Sequence, residues 1–403
     1  MKNSIIVSIL MLLSARVLAD DLFTAVSLLE SAQLEQTVQA GIVADVNVNL
    51  LTSRASQLEI DLPDGQQMTA VFNYLRHNPL LGYSWQGHVN GDASQIIDLS
   101  VYEDAIAGSI HTEHAVYEIQ PLGDYRIKLV ELIADAFPEC DGGEAVIQPL
   151  AENSLQSDTA SVVRATNTVD VIVVYTPEAR VGAGGDSAIK AVAQAAVDAM
   201  NSSLVNSLVD TEIVLLYAGE VNYNDSSDSS ADLSWLRSST EVEALKNLYG
   251  ADMTALLVNT MGGCGRGYVM RSPGASFRDY AVQVTKRSCA VGNLSFAHEF
   301  GHNMGLEHNP ENSSATSATA SYPWSFGHYH SGQYRTVMSY SNPCTGGCTR
   351  RQYFSNPDVS YLGLATGVDD ERDNARTLRL TSPISAAFRV RVPDIIFTNG
   401  FEL

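Results

Sequence analysis

One stretch, His298-Glu-Phe-Gly-His-Asn-Met-Gly-Leu-Glu-His308, constrains this chain more than any other. His298 and His302 are four apart, so on a helix they share one face, a single turn apart. Two neutral imidazoles at that spacing each aim one ring nitrogen at the same metal ion. Glu299 lies beside them as a carboxylate able to polarise a water molecule. Gly305 lets the helix stop, because glycine adopts the left-handed conformation that ends helices. The chain then turns and brings His308 back as a third ligand. Three protein ligands and an open fourth position describe a catalytic zinc site, Zn2+ being the expected cofactor, and not a structural one. The bland alternative is a helix that carries surface histidines. With only nine histidines in the chain, a chance match to all the fixed positions is on the order of one in a hundred thousand.

The chain begins with Lys2, an apolar run from Ile5 to Leu13, then Ala15, Val17 and Ala19. A short positive region, a hydrophobic stretch too short to span a bilayer and small residues before a cut describe an export signal over 1–19, cleaved after Ala19. A secreted, soluble product with no membrane span is expected. The formal charge of −22, from 46 acids against 24 bases, repels nucleic acid and anionic lipid and argues against partners of those kinds. The five cysteines are Cys140, Cys264, Cys289, Cys344 and Cys348. The last four allow two disulfides in three connectivities, and Cys264–Cys289 with Cys344–Cys348, the pairing of sequence neighbours, is favoured. Cys140 is left alone.

Residues 20 to about 130 read as a helical start followed by a strand-rich body, with apolar–polar alternation concentrated in 80–130. Residues 140–168, rich in Ser, Thr, Glu and Gly, read as a linker whose lone basic residue, Arg164, is a candidate processing point. A new pattern begins at Val169: a buried strand to Tyr175, helical spacing over 186–208, strands at Thr211–Tyr217 and Thr254–Asn259, and a short helix at Glu241–Tyr249. Alternating strand and helix predicts an α/β (α+β) domain with a helix-covered sheet. Ala281-Val-Gln-Val284 is expected as an edge strand. The acids of Asn222–Asp232 lack the spaced oxygen pattern of a calcium loop and read as a solvated surface loop.

These residues together resemble the metzincin zinc endopeptidases. His-Glu-Phe-Gly-His-Asn-Met-Gly-Leu-Glu-His is most similar to the bacterial reprolysin-like (adamalysin-like) branch, and the region also resembles bacterial peptidyl-aspartate metalloendopeptidases. That branch usually has Asp after the third His, where this chain has Asn309. The resemblance implies a twisted mixed sheet above an active-site helix and a Met-turn, for which Thr336-Val-Met-Ser-Tyr340 is the candidate, with Met338 beneath the metal. Met338 is otherwise an ordinary gap-filling core residue. Tyr340 is a candidate for an extra ligand or for oxyanion stabilisation, weighed against plain packing.

The resemblance also implies a zymogen. Cys140, in Phe137-Pro-Glu-Cys140, is a candidate switch: its thiolate would ligate the zinc and fill the position that water needs. The expected division is an export signal at 1–19, a β-rich propeptide at 20–165, a catalytic domain at 166–392 and a tail at 393–403. The expected partner is a protein or peptide in extended conformation, lying antiparallel to an edge strand placed at 275–284. A preference for acidic residues would need a cationic pocket, for which Arg335, Arg350 and Arg351 are candidates. The rival reading is a secreted zinc-binding protein without proteolytic activity, and retention of Glu299 argues against it.

Overall fold

A computed structural model describes residues 20–80, 82–142, 144–145 and 167–392. The export signal with its cut after Ala19, the candidate processing point at Arg164 and the tail from 393 onward lie outside the described residues.

The first half closes on itself. Nine strands, β1 (Asp20–Leu28), β2 (Val38–Val46), β3 (Gln57–Asp61), β4 (Gln67–His77), β5 (Tyr83–Val89), β6 (Ile96–Tyr102), β7 (Ala105–His111), β8 (Val116–Gly123) and β9 (Arg126–Leu132), form a closed barrel. Its strand order is β1-β2-β9-β8-β7-β6-β5-β4-β3, shut by parallel pairing of β1 with β3. A short helix, α1 (Val48–Ser53), places Leu51 against the barrel's core. Leu22, Phe23, Ile42, Leu58, Trp85, Leu99 and Ile119 are among the side chains that fill the interior, as in small barrels whose alternate residues point inward. The helical start expected from residue 20 is absent. Asp20–Leu28 is a strand with a partner on each side, and that pairing outweighs a weak local helical pattern.

The second half is an α+β layer. A two-residue strand, β10 (Glu144–Ala145), precedes β11 (Asn167–Tyr175). Then come α2 (Pro177–Ala183), α3 (Asp186–Asn206), β12 (Thr211–Glu220), α4 (Ser229–Ser238), α5 (Thr240–Tyr249), β13 (Met253–Val258), β14 (Gly265–Val269) and β15 (Val282–Lys286). The helices α6 (Ser295–Asn303) and α7 (Asn374–Ser385) complete it. The sheet order is β10-β14-β15-β13-β11-β12, with β12, β11, β13 and β15 mutually parallel and β14 antiparallel to β15. Hence 281–284 is not an edge. Residues Ala275–Tyr280 form a 3-10 helix, and β15 lies between β13 and β14. On this side the sheet ends with the two-residue β10, which runs parallel to the glycine-rich β14 and covers part of it. Part of the segment read as a linker is therefore sheet. Among the described residues no helix is long and apolar enough to cross a membrane.

Helix α3 is buried on nearly every side because it is shared. Its alanines meet the sheet and α6. A stripe at spacing four, Gln194, Asp198 and Ser202, faces the barrel. Asp198 accepts hydrogen bonds from Ser100 Oγ at 2.6 Å and Arg76 Nη2 at 3.0 Å, and from Ser84. Asp98 of the barrel accepts from Ser202, Gln86 and Gln352. Much of the contact between the two halves is thus made by polar groups that pair with one another.

In the 222–232 loop the acids hold the loop itself. Asp225 accepts from the Asn259 and Thr260 amides, and Asp228 caps α4.

Candidate active site

Helix α6 starts after Leu294, which adopts a left-handed conformation, and presents His298 and His302 one turn apart. The helix ends at Asn303, and Gly305 takes φ +90°. There the amides of Gly305 and Leu306 return to the carbonyls of His302 and Gly301. A β-carbon at Gly305 would press on the Met270 carbonyl at 3.1 Å, so glycine is required twice over, by conformation and by space. The next residues carry His308 back over the helix. Glu307 anchors this return through Arg271, whose Nε and Nη2 reach its two carboxylate oxygens at 2.6 and 3.1 Å.

The three imidazoles converge. His302 Nε2 lies 2.9 Å from His308 Nε2, which lies 3.1 Å from His298 Nε2. The Nδ1 of His298 is 2.8 Å from the Val337 carbonyl, and that of His302 is 2.8 Å from the Leu306 carbonyl. A carbonyl can only accept, so both Nδ1 atoms carry the proton and each Nε2 presents its lone pair inward. Burial holds all three rings below the ordinary histidine range, with the neighbouring His302 adding to the effect at His298 and His308. Neutral imidazoles with lone pairs aimed at one point are a donor set for a cation.

Glu299 is fully buried, and neither of its carboxylate oxygens has a hydrogen-bond partner. Burial pushes its carboxyl well up, against the opposing pull of Arg350 and Arg266. An orphaned buried carboxylate beside a cation donor set is what a site that handles a water molecule requires. The residues present therefore fit a zinc ion.

Met338 is buried beneath α6, where a β-carbon on Gly301 would fall 2.5 Å from its sulfur. Asn309, the departure from the usual Asp, accepts the Tyr340 amide at 3.0 Å on Oδ1. It thereby ties the third histidine's neighbour to the turn that carries Tyr340. Burial raises the Tyr340 phenol far above its ordinary value, so it stays protonated as a donor.

Cys140 reaches this centre from the barrel half. Its Sγ lies 3.2 Å from His308 Nε2, 3.3 Å from His298 Nε2 and 2.7 Å from the Tyr340 hydroxyl. The four ligand atoms of Cys140, His298, His302 and His308 lie within 4.8 Å of one another. The two disulfides are Cys264–Cys289 and Cys344–Cys348, and Cys140 is the free cysteine.

Of the three candidate arginines, two come together. Arg335 and Arg350 sit opposite each other on adjacent short strands and both approach Glu139, while Arg351 turns away to the Thr112 and Glu113 carbonyls. Reading the sequence missed Gly265, Gly267, Glu139 and Ser341. A β-carbon on Gly265 would lie 2.5 Å from Glu299 Oε1, and one on Gly267 would lie 3.1 Å from the Glu299 carbonyl. The signal was present as glycines at strand spacing in Gly263-Cys-Gly-Arg-Gly267, which mark a strand face kept bare for a close neighbour.

The profile of metallo-peptidase family M12 named Reprolysin_5 matches residues 165–355. The peptidyl-Asp metalloendopeptidase of Stenotrophomonas maltophilia is 28% identical over 389 residues, covering 89% of each chain. That of Xanthomonas campestris is 29% identical over 296 residues, covering 71% of this chain and 68% of its own. The Pseudomonas fragi protein of the same name is 37% identical over 109 residues, covering 26% of this chain and 65% of its own.

Proposed function

This chain belongs to the reprolysin-like zinc metalloendopeptidases of family M12, and from that premise we propose that it is exported as a zymogen and, once processed, cuts extended peptides beside acidic residues. The observation that carries the reading is the convergence of three histidine Nε2 atoms beside a buried carboxylate without a partner.

His298, His302 and His308 hold the zinc, with the Val337 and Leu306 carbonyls orienting two of the rings. Zinc bound there supplies Lewis acidity toward water and the scissile carbonyl. Glu299, its basicity raised by burial, takes the proton from the attacking water and returns it to the leaving amine. Tyr340 donates its O–H to the carbonyl oxygen as negative charge develops on it. Met338 forms the floor of a Met-turn. Once β10 has left, the substrate adds to β14, whose backbone groups supply strand-type hydrogen bonds.

In the uncleaved chain Cys140 is a fourth zinc ligand and β10 covers the edge that substrate needs. Residues 20–165 act as the propeptide and 166–392 as the enzyme. The polar stripe on α3 supports a separable barrel: Gln194, Asp198 and Ser202 become an ordinary solvated helix face when the barrel leaves. The acidic preference is carried over from the relatives, which are named for aspartate.

Casein or mixed-peptide cleavage by processed protein, compared with Glu299→Ala at matched zinc content, tests the reading. Cleavage by the wild type alone supports it. No cleavage by either, with one zinc bound and the propeptide absent, replaces it with an inert zinc-binding protein.

A further inference from the structure

Glu139 stands one residue before the cysteine at the metal centre, and its carboxylate is held on both oxygens. Oε1 accepts from the Ser341 amide at 2.6 Å and from the Ser341 hydroxyl at 2.7 Å. Oε2 lies 3.4 Å from Arg350 Nη2 and 3.6 Å from Arg335 Nη1. None of these partners belongs to the barrel half. All three lie between residues 335 and 350, on either side of Met338, and Ser341 is the neighbour of Tyr340.

The two guanidinium groups are fixed independently of Glu139. Arg335 donates to the Ser339 carbonyl at 2.6 Å and to the Cys348 carbonyl at 3.2 Å, and Arg350 donates to the Asn293 carbonyl at 2.8 Å. Adjacent strands hold them in register, and the Cys344–Cys348 disulfide closes the loop between them. Removal of the propeptide therefore takes away the anion and leaves both cations in place. Two like charges side by side at a buried site, with a serine amide and hydroxyl aimed between them, make a receptor for a carboxylate. Its position decides whose carboxylate. Cys140 and Glu139 are consecutive, so whatever group occupies the metal position has a neighbouring side chain in this pocket.

We propose that Arg335, Arg350 and Ser341 form the pocket that selects an acidic side chain next to the scissile bond, and that Glu139 fills it in the uncleaved chain as a built-in mimic of that side chain. The inference rests on the peptidase reading above. It adds the residues that read the acid and a second anchor for the propeptide besides the thiol. It also accounts for Glu139 and Cys140 acting as one plug, with one side chain for the metal and one for the pocket.

The test uses two proteins. Processed enzyme is assayed on peptides that differ only in one residue, Asp, Glu, Asn or Ala, placed on either side of the cut. Wild type is expected to favour Asp over Asn by on the order of 10²-fold in kcat/KM, and Arg350→Gln to reduce that ratio roughly tenfold or more, the scale of one charge-assisted hydrogen bond. Cleavage of the Ala peptide and bound zinc should be retained, which separates this loss from misfolding. Ser341→Ala should reduce the ratio in the same direction, and Arg351→Gln should leave it unchanged. An Asp-to-Asn ratio unmoved by Arg350→Gln, with the Ala peptide still cleaved, overturns the pocket. In the uncleaved chain, Glu139→Gln should speed alkylation of Cys140 by iodoacetamide about tenfold, the same charge-assisted bond being lost, and Glu139→Asp should do so less. An unchanged rate overturns the mimicry. Wild type that cleaves none of the peptides refutes the peptidase reading instead, and the alkylation rates still report on whether Arg335 and Arg350 hold Glu139.

Discussion

Gly265 lies so close to Glu299 that a β-carbon there would stand 2.5 Å from the Glu299 Oε1 and 2.6 Å from its Cγ. The clash involves the stem of the carboxylate side chain as well as its tip, so no small rotation relieves it. The buried carboxylate thus keeps its position because the adjacent strand offers no side chain. Gly265→Ala should lower kcat about a hundredfold, the usual cost of displacing a reacting group by an ångström, while zinc content stays at one per chain. Steady-state kinetics with metal analysis checks this. Unchanged kcat would mean that Glu299 has room to move without losing its role.

Tyr340 donates toward Cys140 in the uncleaved chain, to its carbonyl at 3.0 Å, and its hydroxyl lies 2.7 Å from the sulfur. On the proposed zymogen reading, departure of Cys140 leaves that hydroxyl facing the three histidines. Tyr340→Phe is expected to reduce kcat by roughly 10²-fold with little change in KM, as for loss of one oxyanion donor. A proportional rise in KM with kcat intact would assign Tyr340 to ground-state binding.

Cys140→Ala removes the sulfur from between the histidines and leaves Glu139 and β10 in place. The full chain should convert to its processed form roughly tenfold or more faster than wild type, one metal–ligand or charge-assisted contact being lost. Conversion followed by gel electrophoresis reads this directly. An unaltered rate would show that the thiol contributes nothing to restraint.

The contact between barrel and catalytic half should weaken as pH rises. Burial raises Asp98 to about 6 and Glu118 to about 7, and Glu118 accepts the Gly292 amide across the contact at 2.9 Å. Both docked values lie above the ordinary ones, so docking favours the protonated acids. That stabilisation is complete below about pH 4, near the free carboxyl values, and is lost as pH rises through 6 to 7. Within this window affinity should fall by up to about tenfold per pH unit for each proton involved. Dissociation of the nicked propeptide, followed from pH 5 to pH 8, should therefore accelerate, and Asp98→Asn with Glu118→Gln should flatten the profile. Slower release at pH 8 than at pH 5 would contradict it.

Chelation should abolish cleavage, and stoichiometric zinc should restore it. The three Nε2 atoms, two pairs of which lie about 3 Å apart, lose the cation that offsets their desolvation, so thermal stability should drop as well. Calorimetry with and without chelator measures that drop. Full activity after verified metal removal would rule out the zinc mechanism.

Local pattern carried a large part of this molecule. The strand at Asn167–Tyr175, the helices at Asp186–Asn206 and Thr240–Tyr249, and both disulfides lie where residue spacing places them. The closed barrel did not show in the same way, because a strand's alternation says which face is buried and not which strand pairs with it. The edge of the catalytic sheet was misplaced for a related reason. Val282–Lys286 has the apolar character of a strand, but its place between β13 and β14 depends on glycine-rich Gly265–Val269 folding back beside it.

Sequence by itself determined the convergence of the three histidines. His298, His302 and His308 are brought together by the i, i+4 geometry of one helix and a glycine turn, both short-range properties of the chain. Tertiary structure alone decided what else meets there. Cys140 lies 158 residues before His298, and Glu139 lies 211 before Arg350. Contacts over such separations depend on how the barrel docks on α3 and how the strands flanking the Cys344–Cys348 loop bring Arg335 and Arg350 together. No local propensity encodes either, because the energy that fixes them is shared among surfaces that only the folded chain brings together.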